Sequence, residues 1–160
     1  MTRVVAVGLA ELKVSDDPEV ELTSYALGSC IALMLHDPAR RLAGMLHYML
    51  PTSSTNPAKA REQPGMFADV GIPLLLAQMQ ERGSRRGTLV VKAAGGAKCY
   101  EDHGAFDIGE RNQVILRKLL WRAGLMLSGA DLGGTRSRTV RLSVATGAVV
   151  VRSGTEEWSL

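Results

Sequence analysis

Leu22-Thr23-Ser24-Tyr25-Ala26-Leu27-Gly28-Ser29-Cys30-Ile31-Ala32-Leu33-Met34-Leu35-His36 is nearly apolar. A second apolar run, Leu42-Ala43-Gly44-Met45-Leu46-His47-Tyr48-Met49-Leu50, follows it and stops at Pro51. Short apolar runs bounded by turn signals read as buried strands. Asp37-Pro38-Ala39-Arg40 between them is a turn with a mechanism, since Asp bonds its own backbone and Pro fixes φ. The two runs therefore read as a β-hairpin broken at Gly28-Ser29, and the remaining segments are placed around it.

Upstream, Val4–Leu9 reads as a short buried strand and Glu11–Glu21 as a polar connection turning at Asp16-Asp17-Pro18. Downstream, 51–65 holds three prolines and reads as a mobile surface loop. Met66–Arg82 has helical spacing, with Leu74, Leu75, Leu76 and Met79 apolar and Pro73 marking a kink or the true start. Thr88–Ala94 is a strand. Glu110–Ala123 is a helix with Val114, Ile115, Leu119 and Leu120 inward, stopped by Gly124. Leu125–Leu132 is a strand, and Thr139–Ala145 with Ala148–Arg152 flank the hairpin signal Thr146-Gly147. Residues 153–160 are a tail. Strands outnumber helices and cluster at both ends, so the expected class is α+β. It is a layered α/β sandwich of mostly antiparallel strands with two main helices, in a single domain over 1–160.

The chain has 160 residues, 46% hydrophobic and 22% charged, the composition of an ordinary globular domain. Aromatic residues are 4%, so the core must rest on Leu, Val, Ala and Met. A formal net charge of +3, with no aromatic-rich basic stretch, does not point to nucleic acid. No run of about 18 apolar residues suggests membrane insertion, and the start of the chain does not read as a signal peptide. With two cysteines, Cys30 and Cys99, and no disulfide framework, reduced thiols and a cytoplasmic location are expected.

Cys30 and His47 carry the chemistry. If the hairpin loop is symmetric about the Pro38–Ala39 bond, Cys30 faces His47 directly, with Cβ atoms about 4.5–5.5 Å apart on one face of the sheet. Pairing with an imidazole lowers a thiol pKa. The thiolate attacks an amide carbonyl, and the imidazole protonates the departing amine and then activates water against the thioester. Backbone N–H groups of Gly28 and Ser29 are candidate oxyanion donors. Ser24, before Thr23, is the nearby hydroxyl for orienting the imidazole. The competing reading is an inert core thiol, since free cysteine is among the most buried residue types.

The order Leu27-Gly28-Ser29-Cys30-Ile31, then Gly44-Met45-Leu46-His47-Tyr48-Met49-Leu50-Pro51, resembles the signature of the CheD family, the chemoreceptor glutamine deamidases of bacterial chemotaxis. Lys92-Ala93-Ala94-Gly95-Gly96-Ala97, Ile108-Gly109-Glu110-Arg111-Asn112, Asp131-Leu132-Gly133-Gly134, Arg138 and Thr146-Gly147 resemble further family elements in order. The resemblance implies a hydrolase that converts chemoreceptor glutamines to glutamates through a cysteine thioester, with Cys30 as nucleophile, His47 as base and Ser24 at a position usually threonine. It implies no cofactor or metal. It implies chemoreceptor cytoplasmic domains as substrate and a CheC-type phosphatase as a partner of many members. The alternatives are a non-catalytic adaptor for CheC or receptor, and a receptor methylesterase, which uses the same acyl chemistry.

Other features have plainer readings. Cys30, His47, Cys99 and His103 form a poor zinc set because structural zinc takes closely spaced ligand pairs. Gly95-Gly96 and Gly133-Gly134 match no phosphate-loop fingerprint and read as tight turns or as glycine-lined walls that let a polypeptide approach. The clusters Arg82, Arg85, Arg86 and Arg136, Arg138, Arg141 read as solvated faces, with an acidic helical partner as the functional option.

Overall fold

The computed structural model describes residues 1–99 and 107–160. The first sheet contains β1 (Arg3–Ala6), β3 (Val20–Leu27), β8 (Arg138–Ser143), β9 (Val149–Ser153) and β10 (Glu156–Ser159), in that order across the sheet. The second runs β2 (Leu12–Ser15), β5 (Leu42–Tyr48), β4 (Ile31–Asp37), β6 (Val90–Gly95) and β7 (Gly129–Leu132). Neighbours pair antiparallel except β1 with β3 and β6 with β7. The helices are α1 (Pro57–Glu62), α2 (Ala68–Glu81) and α3 (Ile108–Arg122). The expected α+β sandwich with two main helices is what forms.

Every residue of β4 and β5 is buried, because that hairpin is the middle layer. Side chains alternate across it with period two. Ile31, Leu33, Leu35, Leu46 and Tyr48 face α2 and α3, where they meet Ile72, Leu75, Met79, Leu116 and Leu120. Ala32, Met34, Ala43 and Met45 face the first sheet, where they meet Leu22, Leu27, Val140 and Val151. Each such leucine contributes about 1.5–3 kcal/mol of burial. Gly44 lets α2 come close, since a Cβ there would sit 2.8 Å from Leu75 Cδ1 and 3.1 Å from Met79 Sδ.

The hairpin is present, but its register differs from expectation by two residues. Ala32, not Cys30, pairs with His47, and Asp37 pairs with Leu42. The loop is four residues long and centred one position later, because the Asp37 carboxylate accepts from both Ala39 N (3.1 Å) and Arg40 N (3.3 Å) and Arg41 turns the chain at φ 52°. A two-residue shift preserves faces, so Cys30 and His47 still belong to the same side. Leu22–His36 is not one strand. It splits at Gly28-Ser29, where the chain leaves the first sheet as β3 and enters the second as β4.

Other expectations are corrected. β1 is an edge strand with Val4 51% exposed, not a buried one. The polar segment 11–21 contains β2. Segment 51–65 is not a plain loop. It folds into α1, capped by the Asn56 side chain on Lys59 N (3.1 Å), and Asp69 accepts from Ser53 N and Oγ. The tail 153–160 forms β10 on β9, with Arg136 stacked over Trp158. Helix α2 begins at Ala68, so Pro73 lies inside it. Helix α3 buries the stripe Asn112, Leu116 and Leu120, while Val114 is 60% exposed.

Arg138 is buried, not solvated. It joins the two sheets: its guanidinium pairs with Asp131 (Nε–Oδ2 3.1 Å) and donates to the carbonyls of Gly133 (2.6 Å) and Gly95 (3.3 Å). Arg138→Met is expected to destabilise the fold by about 3 kcal/mol in urea unfolding, since it leaves the Asp131 carboxylate and the Gly133 carbonyl without this donor.

Candidate active site

Cys30 lies at the seam where the chain crosses from one sheet to the other. It is half-buried and packed against the core between the sheets. Gly96 N donates to its carbonyl at 2.9 Å, and Ala97 N donates to the Gly28 carbonyl at 2.9 Å, so the Gly95-Gly96 turn cradles the loop. Gly95 adopts φ 115°, and a methyl there would run into the Cys30 carbonyl oxygen. Gly95→Ala is therefore expected to lower stability by about 1–3 kcal/mol through backbone strain, read as a shift in the urea midpoint. The second glycine turn bonds back to the first, Gly133 N to Gly95 O at 2.9 Å and Lys98 N to Gly134 O at 2.7 Å. Beyond the turns lies an open depression of about 410 Å³ lined by Lys98, Asp107, Glu110 and Gln113.

His47 sits near the end of β5, 4% exposed, on the face shared with Cys30. Its Nδ1 lies 3.2 Å from the Val7 carbonyl oxygen. A carbonyl only accepts, so Nδ1 carries the proton and Nε2 presents the lone pair. Nε2 is buried and has no hydrogen-bond partner among the described residues, so no donor there competes for its lone pair.

Ser24, fully buried in β3, donates to the same Val7 oxygen at 2.7 Å, with Met45 Sδ 3.2 Å away. Ser24 and His47 thus converge on one backbone oxygen instead of bonding to each other. Val7 is the partner that sequence reading misses, because a main-chain carbonyl carries no residue signature. Just beyond Ser24 the β3–β8 pairing slips and Ala26 takes φ 52°, a left-handed value that a non-glycine residue rarely adopts. The kink, a β-bulge, redirects the chain toward Gly28.

The electrostatics differ from expectation. Burial pushes the Cys30 thiol up, the neighbouring Cys99 thiol adds to this, and the Cys30 backbone N–H opposes it. Burial pulls His47 down, opposed by its bond to Val7 and by the Glu11 charge. Desolvation disfavours both ions. Both shifts favour the uncharged forms, against the lowered thiol pKa that a thiol–imidazole pair suggests. Cys99 is exposed, its Sγ 3.6 Å from where a Gly28 Cβ would be. His103, weighed as a zinc ligand, lies outside the described residues.

Residues 49–153 match the family model described as CheD chemotactic sensory transduction, a span that starts just after His47. The chain is 52% identical over 143 residues to a protein of Solibacter usitatus named "Probable chemoreceptor glutamine deamidase CheD", covering 89% of this chain and 85% of that one. It is 48% identical to "Probable chemoreceptor glutamine deamidase CheD 2" of Anaeromyxobacter dehalogenans, covering 94% and 95%. It is 44% identical to "Probable chemoreceptor glutamine deamidase CheD 1" of Syntrophus aciditrophicus, covering 93% of each.

Proposed function

The chain belongs to the CheD family, and from that premise we propose that it is a cysteine-dependent protein-glutamine deamidase acting on chemoreceptor cytoplasmic domains in the cytoplasm. The observation that carries this reading is His47 Nε2, buried and without a hydrogen-bond partner among the described residues, on the strand paired with β4, just before which Cys30 packs against the core between the sheets. His47 Nε2 removes the Cys30 proton as Sγ attacks the side-chain amide carbon of glutamine. The C–N bond breaks and the imidazolium gives its proton to the leaving nitrogen, which departs as ammonia. Nε2 then takes a proton from water as its oxygen attacks the thioester, and the glutamate is released as sulfur regains its proton.

Ser24 tightens the Val7 oxygen that orients His47. The open glycine-walled depression suits a polypeptide surface better than an enclosed metabolite. Among the described residues no helix is long and apolar enough to cross a membrane. A CheC-type phosphatase is proposed as a second partner on the family resemblance. The test is incubation with a receptor cytoplasmic fragment and mass spectrometry of its glutamine peptides. Conversion of amide to acid by wild type and not by Cys30→Ala is the expected outcome. A methylated fragment run alongside distinguishes amide from ester hydrolysis.

A further inference from the structure

Three successive carbonyls of the nucleophile loop are fastened to three different groups. Ala97 N holds Gly28 O, Gly96 N holds Cys30 O, and the side chain of Asn112 holds Ser29 O, each at 2.9 Å. Only the middle one depends on a side chain. Asn112 is fully buried in α3, and its Nδ2 donates a second bond, also 2.9 Å, to the Met49 carbonyl just past β5. One amide therefore ties the loop that carries Cys30 to the strand end that carries His47. The Tyr48 hydroxyl donates to the Asn112 carbonyl at 2.8 Å and fixes the helix turn itself. Asn112 Oδ1 is buried with no hydrogen-bond partner among the described residues. An unpaired buried acceptor is costly. The position thus keeps an amide whose acceptor is idle and whose two donors are both committed to backbone flanking the site.

In a trans peptide the C=O and N–H point opposite ways. Drawing the Ser29 carbonyl toward α3 turns the Cys30 N–H away from it, and that N–H lies against the Cys30 sulfur. We propose that Asn112 is a positioning residue: it sets the Ser29–Cys30 peptide plane so that the Cys30 N–H meets the oxygen of the amide under attack. As the sulfur–carbon bond forms, the carbonyl π pair moves onto oxygen, and the Cys30 N–H donates to that oxyanion. The inference rests on Cys30 being the nucleophile.

Two reactions of the same sulfur separate this role from simple support of the loop. Deamidation passes through an oxyanion, and displacement on iodoacetamide does not. Asn112→Asp keeps the shape and removes both donors. Its deamidation kcat on a receptor cytoplasmic fragment is expected to fall about 10²-fold, with KM held within about twofold and Cys30 alkylation, read by peptide mapping, within about threefold. An unchanged kcat overturns the inference, and so does a parallel fall in kcat and alkylation, which marks a loosened loop. If near-UV circular dichroism finds Asn112→Asp unfolded, Asn112→Ser, uncharged and too short to reach both carbonyls, carries the same comparison. Cys30→Ala runs in parallel. Activity retained there overturns the nucleophile assignment and this inference with it, whereas activity lost there but intact in the Asn112 variants overturns this inference alone.

Discussion

Cys30→Ala is expected to abolish conversion of receptor glutamines, a loss of about 10⁴-fold or more in kcat, as removal of an acyl-transfer nucleophile does elsewhere. Neither of the two nearby nucleophiles, Ser24 and Cys99, replaces the sulfur. Ser24 Oγ is fully buried and committed to the Val7 carbonyl. Cys99 is exposed, beside Gly28 and not on the strand that faces His47. His47 remains in the variant and can still assist water directly, but a water lacks the fixed position that the loop gives the thiol. The substitution should spare the fold, because Cys30 is half-buried at the rim of the core and only one heavy atom is removed. An unchanged melting temperature and wild-type near-UV circular dichroism check that point. Cys99→Ala serves as the control and should retain activity. Full activity in Cys30→Ala would leave docking, not catalysis, as the role of this chain.

The sequence showed the middle of the molecule better than its edges, for a physical reason. β4 and β5 are apolar on both faces and bounded by a turn whose Asp37 carboxylate organises the chain, so their existence and pairing were legible. The register was not, because the loop length depends on which backbone groups Asp37 captures. A shift of two keeps Cys30 and His47 on one face. The edge strands β2 and β10 were invisible. Leu12-Lys13-Val14-Ser15 and Glu156-Glu157-Trp158-Ser159 are four residues each, with two and three polar, and become strands only because a neighbour offers hydrogen bonds. In α3 the apolar spacing points Val114 inward, whereas the structure leaves it 60% exposed. Asn112 holds the core position, and an amide among apolar residues looks like a surface residue until its backbone partners are seen. The side chains Cys30, His47 and Ser24 were readable as chemistry. The Val7 carbonyl that organises two of them was not, nor was the burial that reverses the expected drop in the thiol pKa.

His47→Ala is expected to lower deamidation kcat by about 10³-fold, and the pH profile states why. Burial holds His47 below the ordinary imidazole value of about 6.5, so the ring is neutral and competent as a base at pH 7. Glu11, itself ionised because the Gly8 N–H and Lys13 hold its carboxyl down, opposes that shift without reversing it. Activity should therefore persist as pH falls to about 6.5 and fail only below it, as Nε2 takes a proton. Stability follows the same sign. The unfolded chain protonates this histidine at about pH 6.5 and the native chain only at lower pH, so the unfolded state binds more protons in that window and stability drops with acid. In His47→Ala the catalytic acid limb disappears and the acid loss of stability shrinks. Cys30 supplies the complementary signature. With its thiol raised by burial, alkylation of the resting protein should stay slow at pH 7 and climb above about pH 8.5. A preformed thiolate–imidazolium pair behaves in the opposite way, alkylating rapidly and evenly across neutral pH. That flat profile, or an acid limb lying above pH 6.5, would mean that proton transfer precedes substrate binding and that His47 does not take the proton in concert with attack.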